Sequence, residues 1–124
     1  MTQYRIRFFF DWHCTPFWSG NEEAKERFDY AIQPEKLPLL PETIEKSYEL
    51  ASWHDKSLNW DYPPDPGPWR QEECERFNAA ANQLIETVRA ELGEAFELVN
   101  ECRPLNEDPG LEEYLRNPRI QKAN

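Results

Sequence analysis

One segment, residues 53–69, limits the fold more than any other part of the chain. It reads WHDKSLNWDYPPDPGPW and holds three of the five tryptophans. Its prolines exclude both a helix and a central strand, because proline fixes φ and lacks a backbone donor. We expect a stiff loop that its aromatic rings hold against the body of the protein. The functional alternative is a rim or lid over a pocket, or a surface that binds a partner.

A long helix is predicted on each side of this loop. The first begins at Pro41, a residue that suits the first helical turn, and runs to Asp55 or Ser57. The second begins at Arg70 or Gln71 and ends at Leu92, before Gly93. Helical spacing predicts an apolar stripe on each, formed in the first by Ile44, Tyr48, Ala51, Leu50 and Trp53, and in the second by Cys74, Phe77, Asn78, Ala81, Leu84, Ile85, Val88 and Leu92.

Two strands are predicted near the ends of the chain. Tyr4–Trp12 alternates an aromatic and aliphatic face with a mixed face, and Glu94–Glu101 also alternates. Their relative direction stays open, because a long helical crossover permits parallel pairing. A third strand is expected in Asp29–Gln33 or Cys102–Leu105, unless the sheet extends across a dimer or the helices bury a two-stranded ribbon.

Short helices are expected from Asn21 to about Tyr30 and from Asp108 to about Leu115. The fold class is therefore α+β, with a small sheet of two or three strands packed on one face by two long helices and one or two short ones. We expect a single domain over residues 1–118 and a flexible tail at 119–124.

The formal net charge of −10 excludes general binding to nucleic acid or to an anionic membrane surface. It allows a basic protein partner or a metal cation, although solubility alone also explains an acidic surface. No apolar run reaches the length of a membrane span. Three cysteines, Cys14, Cys74 and Cys102, form no CxxC pair and indicate free thiols in a reducing cytoplasm.

The chain carries two histidine motifs, WHC at 12–14 and WHD at 53–55. Together they supply His13, Cys14, His54 and Asp55 as possible zinc ligands, or a Cys14–His54 nucleophile and base with Asp55 or Asp61 behind them. Adjacent ligands do not have the spacing of a closed metal site, and nothing local activates Cys14. We therefore predict no catalytic residues, no metal ligands and no cofactor, and an enzyme is not favoured.

Asn78 is the polar residue of the second helix's apolar stripe. A buried amide without partners costs roughly 1–3 kcal/mol, so Asn78 is expected to bond the proline loop, whose carbonyls lack ladder partners. The functional alternative is a ligand contact in a pocket below that loop.

Four stretches carry a resemblance: NEEAKERFDY, SLNWDYPPDPGPW, EECERFN and ELGEAFELVN. Through them the chain, from Tyr4 to about Pro118, resembles a family of small bacterial proteins without a known activity. The resemblance implies one domain in the cytoplasm and gives no functional residues. In size and charge only, the chain also resembles immunity proteins that neutralise basic bacterial toxins.

We predict a non-enzymatic cytoplasmic module that binds a protein, in the manner of an inhibitor or immunity protein, with a basic partner. The alternative is a protein that binds a small molecule or metal in an aromatic pocket between the end of the first strand and Trp53–Tyr62. Whether the protein is a monomer or a homodimer formed by sheet extension stays open. The candidate binding residues are Trp12, His13, Trp53, His54, Asp55, Trp60, Asp61, Tyr62 and Asn78.

Overall fold

A three-stranded mixed sheet forms one layer of the protein, whose computed structural model describes residues 2–116. Its strands are β1 (Tyr4–Phe8), β2 (Phe17–Ser19) and β3 (Phe96–Asn100), in the order β2-β1-β3. Strand β1 pairs with β2 antiparallel and with β3 parallel. The parallel pair follows from the long helical crossover between β1 and β3.

Helices form the second layer and confirm the predicted α+β class. They are α1 (Glu22–Phe28), α2 (Pro41–Asp55), α3 (Gln71–Leu92) and α4 (Leu111–Arg116), with a 3₁₀ turn at Pro34–Lys36. The predicted bounds of α2 and α3 are confirmed. Asn21 caps α1 by accepting from the Ala24 amide at 3.0 Å, and Gly93 ends α3 with a φ of 83°. The predicted end of the domain at 118 and the predicted tail at 119–124 lie outside the described residues.

The core lies between one face of the sheet and α3. Ile6 and Phe8 of β1 are fully buried there, together with Leu98 of β3. The α3 stripe is buried as predicted, apart from Asn78, which is half-buried: Cys74, Phe77, Ala81, Leu84, Ile85, Val88 and Leu92. Burial of each large apolar side chain contributes about 1.5–3 kcal/mol, so the packing of α3 on the sheet contributes strongly to stability.

The predicted extent of the first strand is wrong. Strand β1 ends at Phe8, and the chain turns over residues 11–14, where the Cys14 amide donates to the Asp11 carbonyl at 3.2 Å. His13 has a φ of 66° in this turn, which no strand accommodates. The aromatic alternation nevertheless continues inward as far as Phe10, while Trp12 is 40% exposed.

The predicted position of the third strand is also wrong. Strand β2 lies in residues 17–19, which read as loop because three residues are too few to show alternation. The 29–33 region contributes a single bridge, Ala31 to Trp18, and residues 102–105 are not a strand.

The predicted stripe of α2 and part of that of α4 need correction. Tyr48 is 41% exposed and donates to Glu35, and Leu115 is 52% exposed while Leu111 and Tyr114 are buried. The inward face of α2 contains small polar residues whose hydroxyls are hydrogen-bonded, so hydrophobicity did not mark it: Ser47 donates to the Thr43 carbonyl, and Thr43 donates to Glu91 of α3. Its buried residues are Thr43, Ser47, Leu50, Ala51 and His54.

Candidate functional site

The turn after β1 lies against the C-terminal end of α2. The His13 amide donates to Asp55 Oδ1 at 2.7 Å, and His13 Nδ1 lies 4.0 Å from Asp55 Oδ2. A positive φ in a non-glycine residue costs on the order of 1 kcal/mol, so the carboxylate of Asp55 stabilises an otherwise unfavourable turn. The two histidine motifs of the sequence are therefore neighbours in the fold.

Aromatic rings from both segments meet at this junction. The rings of His13 and Trp60 are 4.6 Å apart, and those of Trp12 and His54 are 5.4 Å apart. The Trp60 indole donates to the Asp55 carbonyl at 2.6 Å, which fixes Trp60 after the end of α2. The Asn59 side chain accepts from the amides of residues 61 and 62, so the chain turns directly after Trp60.

We group the exposed residues of the turn after β1 and of the segment after α2, together with half-buried Asp55 between them, as the Trp12–Tyr62 surface. It consists of Trp12, His13, Asp55, Trp60, Asp61 and Tyr62. Trp12, Trp60 and Tyr62 are 40%, 48% and 46% exposed, so large apolar area faces solvent beside carboxylates. Exposed aromatics in a charged surround are typical of protein interfaces.

Three predicted binding residues are not part of this exposed surface: Trp53, Asn78 and the buried His54. Trp53 is half-buried, packs on Trp69 and Phe77, and donates its indole N–H to Glu73. Asn78 does not bond the proline loop, so that prediction is wrong.

Asn78 instead pairs with the backbone of Leu105. Its Nδ2 donates to the Leu105 carbonyl at 2.9 Å, and its Oδ1 accepts from the Leu105 amide at 2.8 Å. The buried amide does find a backbone partner, but that partner lies in the segment after β3. The sequence could not identify this partner, because the contact spans 27 positions.

His54 is the most buried polar ring of the site, with 6% of its surface exposed. It stacks on Phe10 at 5.3 Å and contacts Phe77 at 5.7 Å. Burial lowers the pKa of His54 below its ordinary value, although Asp55 and Asp11 act in the opposite sense. Burial therefore favours the neutral form of the ring, and its Nδ1 makes no hydrogen bond within residues 2–116.

A cleft of about 410 Å³ opens beside His54, and we call it the His54 cleft. Four rings line it, those of Phe10, Trp12, His54 and Phe77. The segment after β3 contributes Glu101, Cys102, Arg103 and Leu105 to the same lining. A second cleft of about 410 Å³, bordered by Trp69 and residues 105–109, also has Trp12 in its lining. Sequence reasoning missed the segment after β3 as part of the lining, because long-range contacts place it there: Glu101 with Arg7 and with the Phe8 carbonyl, and Leu105 with Asn78.

Metal ligation and a reactive thiol are the two chemistries that the residue types of the histidine motifs could supply at this junction. Within residues 2–116, no group of three or more His, Cys, Asp or Glu side chains is arranged to hold a metal ion. Burial, with Asp11 and Asp55, raises the pKa of the Cys14 thiol, whereas a nucleophilic cysteine needs a lowered one. Asp55 contacts His13 at the turn rather than supporting a Cys14–His54 pair.

Two ion pairs join β1 to the end of β3 on the outer face of the sheet, and the sequence alone did not predict them. Arg5 pairs with Glu97 at 3.0 Å, and Arg7 pairs with Glu101 at 2.7 Å. The period-two arginines of β1 were the available signal, but matching them to carboxylates required the parallel register of β1 and β3.

None of the helices within residues 2–116 is both long and apolar enough to cross a membrane. The family model described as Serratia CdiI immunity protein-like matches residues 4–100, and this match confirms the resemblance to a small bacterial family. No curated protein matches the chain. The matched residues extend from β1 through β3 and include the whole Trp12–Tyr62 surface and Asn78.

Proposed function

Because the chain belongs to the Serratia CdiI immunity protein-like family, we propose that it protects a cell by binding a protein toxin. The match over residues 4–100 is the observation that carries this proposal. Protection of this kind is non-catalytic, since covering a surface that the toxin needs is sufficient to inhibit it.

The Trp12–Tyr62 surface is the proposed contact with the toxin. Its three exposed rings offer rigid apolar area, which gives anchor residues a large contact at little entropic cost. The hydrogen bonds of Asp55 to the His13 turn and to Trp60 hold two of these residues before the partner arrives. Such preorganisation lowers the free energy lost on binding.

The proposed toxin is basic on the face that it presents. The chain carries a net charge of −10. Three aspartates are close in sequence to the exposed rings: Asp11, Asp55 and Asp61. Opposite charges accelerate encounter and reject wrong partners, and this effect falls as salt is added. The proposed setting is the cytoplasm, where the free thiols of Cys14, Cys74 and Cys102 remain reduced.

The test combines capture with protection. The purified chain is used to capture proteins from its native cells, and each captured protein is expressed alone and together with the chain. We expect one captured protein to stop growth when expressed alone and to be harmless when the chain is present.

The same rescue is measured with Trp60→Ala and with Tyr30→Ala, whose exposures are 48% and 49%. We expect protection to fail with Trp60→Ala and to persist with Tyr30→Ala, which lies away from the Trp12–Tyr62 surface. Captured proteins that never inhibit growth would contradict the immunity function, and equal rescue by both variants would contradict the proposed surface.

A further inference from the structure

The His54 cleft has the dimensions of a small-molecule site. Its volume of about 410 Å³ falls within the usual range for ligand pockets, roughly 300–1,000 Å³. Three rings surround the imidazole, with Phe10 at 5.3 Å, Trp12 at 5.4 Å and Phe77 at 5.7 Å. A planar apolar group can therefore stack on one side of the cleft.

His54 supplies a polar group that the fold leaves unused. Only 6% of the residue's surface is exposed. Its Nδ1 lacks a hydrogen-bond partner within residues 2–116. Buried polar atoms are almost always hydrogen-bonded, so this enclosed nitrogen is a feature that the packing of the fold alone does not explain.

The lining of the cleft carries a net positive charge, although the chain as a whole is acidic. Arg7, Glu101 and Arg103 all belong to it. Arg7 and Glu101 neutralise each other across 2.7 Å, whereas the exposed side chain of Arg103 has no partner among the described residues. One net positive charge remains in the lining, in the form of a guanidinium that can hold a carboxylate through two hydrogen bonds.

From this combination we propose that the His54 cleft binds a small planar aromatic carboxylate. The ring lies against the aromatic side of the cleft, and the carboxylate accepts hydrogen bonds from Arg103. This site is separate from toxin binding by the Trp12–Tyr62 surface, apart from Trp12, which borders both.

The test uses 2-naphthoate as the probe and 2-naphthylmethylamine as a cationic compound of the same size. The chain has only two histidines, so histidine-ring NMR resonances report on the cleft directly once a His13→Gln variant assigns them. We expect naphthoate to shift the His54 resonances saturably with a Kd of about 1 mM or tighter, and the amine to bind at least about tenfold more weakly.

Arg103→Glu tests the charge, and Lys25→Glu is the matched control, since both positions are exposed and both change the net charge equally. We expect Arg103→Glu to weaken naphthoate binding about tenfold and Lys25→Glu to leave it unchanged. Three outcomes would each overturn the proposal: no saturable His54 shift, equal binding of the amine, or equal effects of the two substitutions. Because the amine comparison uses the unaltered chain, the proposal remains testable even if a variant misfolds.

Discussion

Replacing Asn78 with alanine should detach the segment after β3 from the body of the protein. The side chain makes two hydrogen bonds to the Leu105 backbone, at 2.9 and 2.8 Å. Each neutral bond contributes about 1 kcal/mol net, so their loss costs about 2 kcal/mol. Alanine returns about 0.5 kcal/mol through its higher helix propensity. We therefore expect Asn78→Ala to lower the free energy of unfolding by about 1.5 kcal/mol.

Asn82 provides the matched control, since it lies one turn further along α3 and is exposed. Asn82→Ala should raise the free energy of unfolding by about 0.5 kcal/mol, so the two variants should differ by about 2 kcal/mol in urea denaturation. Hydrogen exchange should show faster exchange of the Leu105 amide in Asn78→Ala alone. Equal stability of the two variants would show that the Asn78–Leu105 hydrogen bonds do not stabilise the fold.

Three further predictions concern other parts of the structure. Gly67→Ala should destabilise the protein by about 1–3 kcal/mol in urea denaturation, because the new Cβ would lie 2.1 Å from the Ser57 carbonyl oxygen. Burial lowers the pKa of His54, so the folded state favours the neutral ring. The stability that comes from this preference is fully present above the unfolded pKa of 6.5 and is lost as the pH falls through the folded pKa. Urea midpoints should therefore be lower at about pH 5.5 than at about pH 7.5, and His54→Phe should reduce this difference. Glu97→Gln should change stability by less than about 0.5 kcal/mol, because its ion pair with Arg5 is half exposed on both sides; a larger change would contradict that view.

Long periodic patterns predicted the helices and the inner face of β1. The stripe of α3 was readable because seven buried positions repeat at helical spacing over 22 residues. Strand β2 was not readable, because its three residues become a strand only by pairing with β1. Tyr48 shows a related difficulty, since hydrophobicity favoured it over Ser47, whose hydroxyl instead donates to the Thr43 carbonyl inside the core.

The candidate site was only partly predictable for the same reason. Its residue types marked Trp12, His13, His54, Asp55 and Trp60, but the contact of the two histidine motifs depends on the turn at His13 and on the end of α2. Asn78 and Trp53 were expected at the same place and lie elsewhere, since helical spacing gives the face of a residue and not its partner. Residues 101–105 carry no periodic pattern, so their place in the lining of the His54 cleft emerged only from the fold.

We propose that the Trp12–Tyr62 surface binds a toxin. The most direct test is the affinity of the purified chain for the growth-inhibiting protein that it captures, measured by calorimetry for Trp60→Ala and for Tyr30→Ala. A buried aromatic anchor contributes about 2 kcal/mol or more, so Trp60→Ala should weaken binding at least about thirtyfold while Tyr30→Ala binds like the unaltered chain. Unaltered affinity in Trp60→Ala would contradict the claim, and so would an equal loss in both variants.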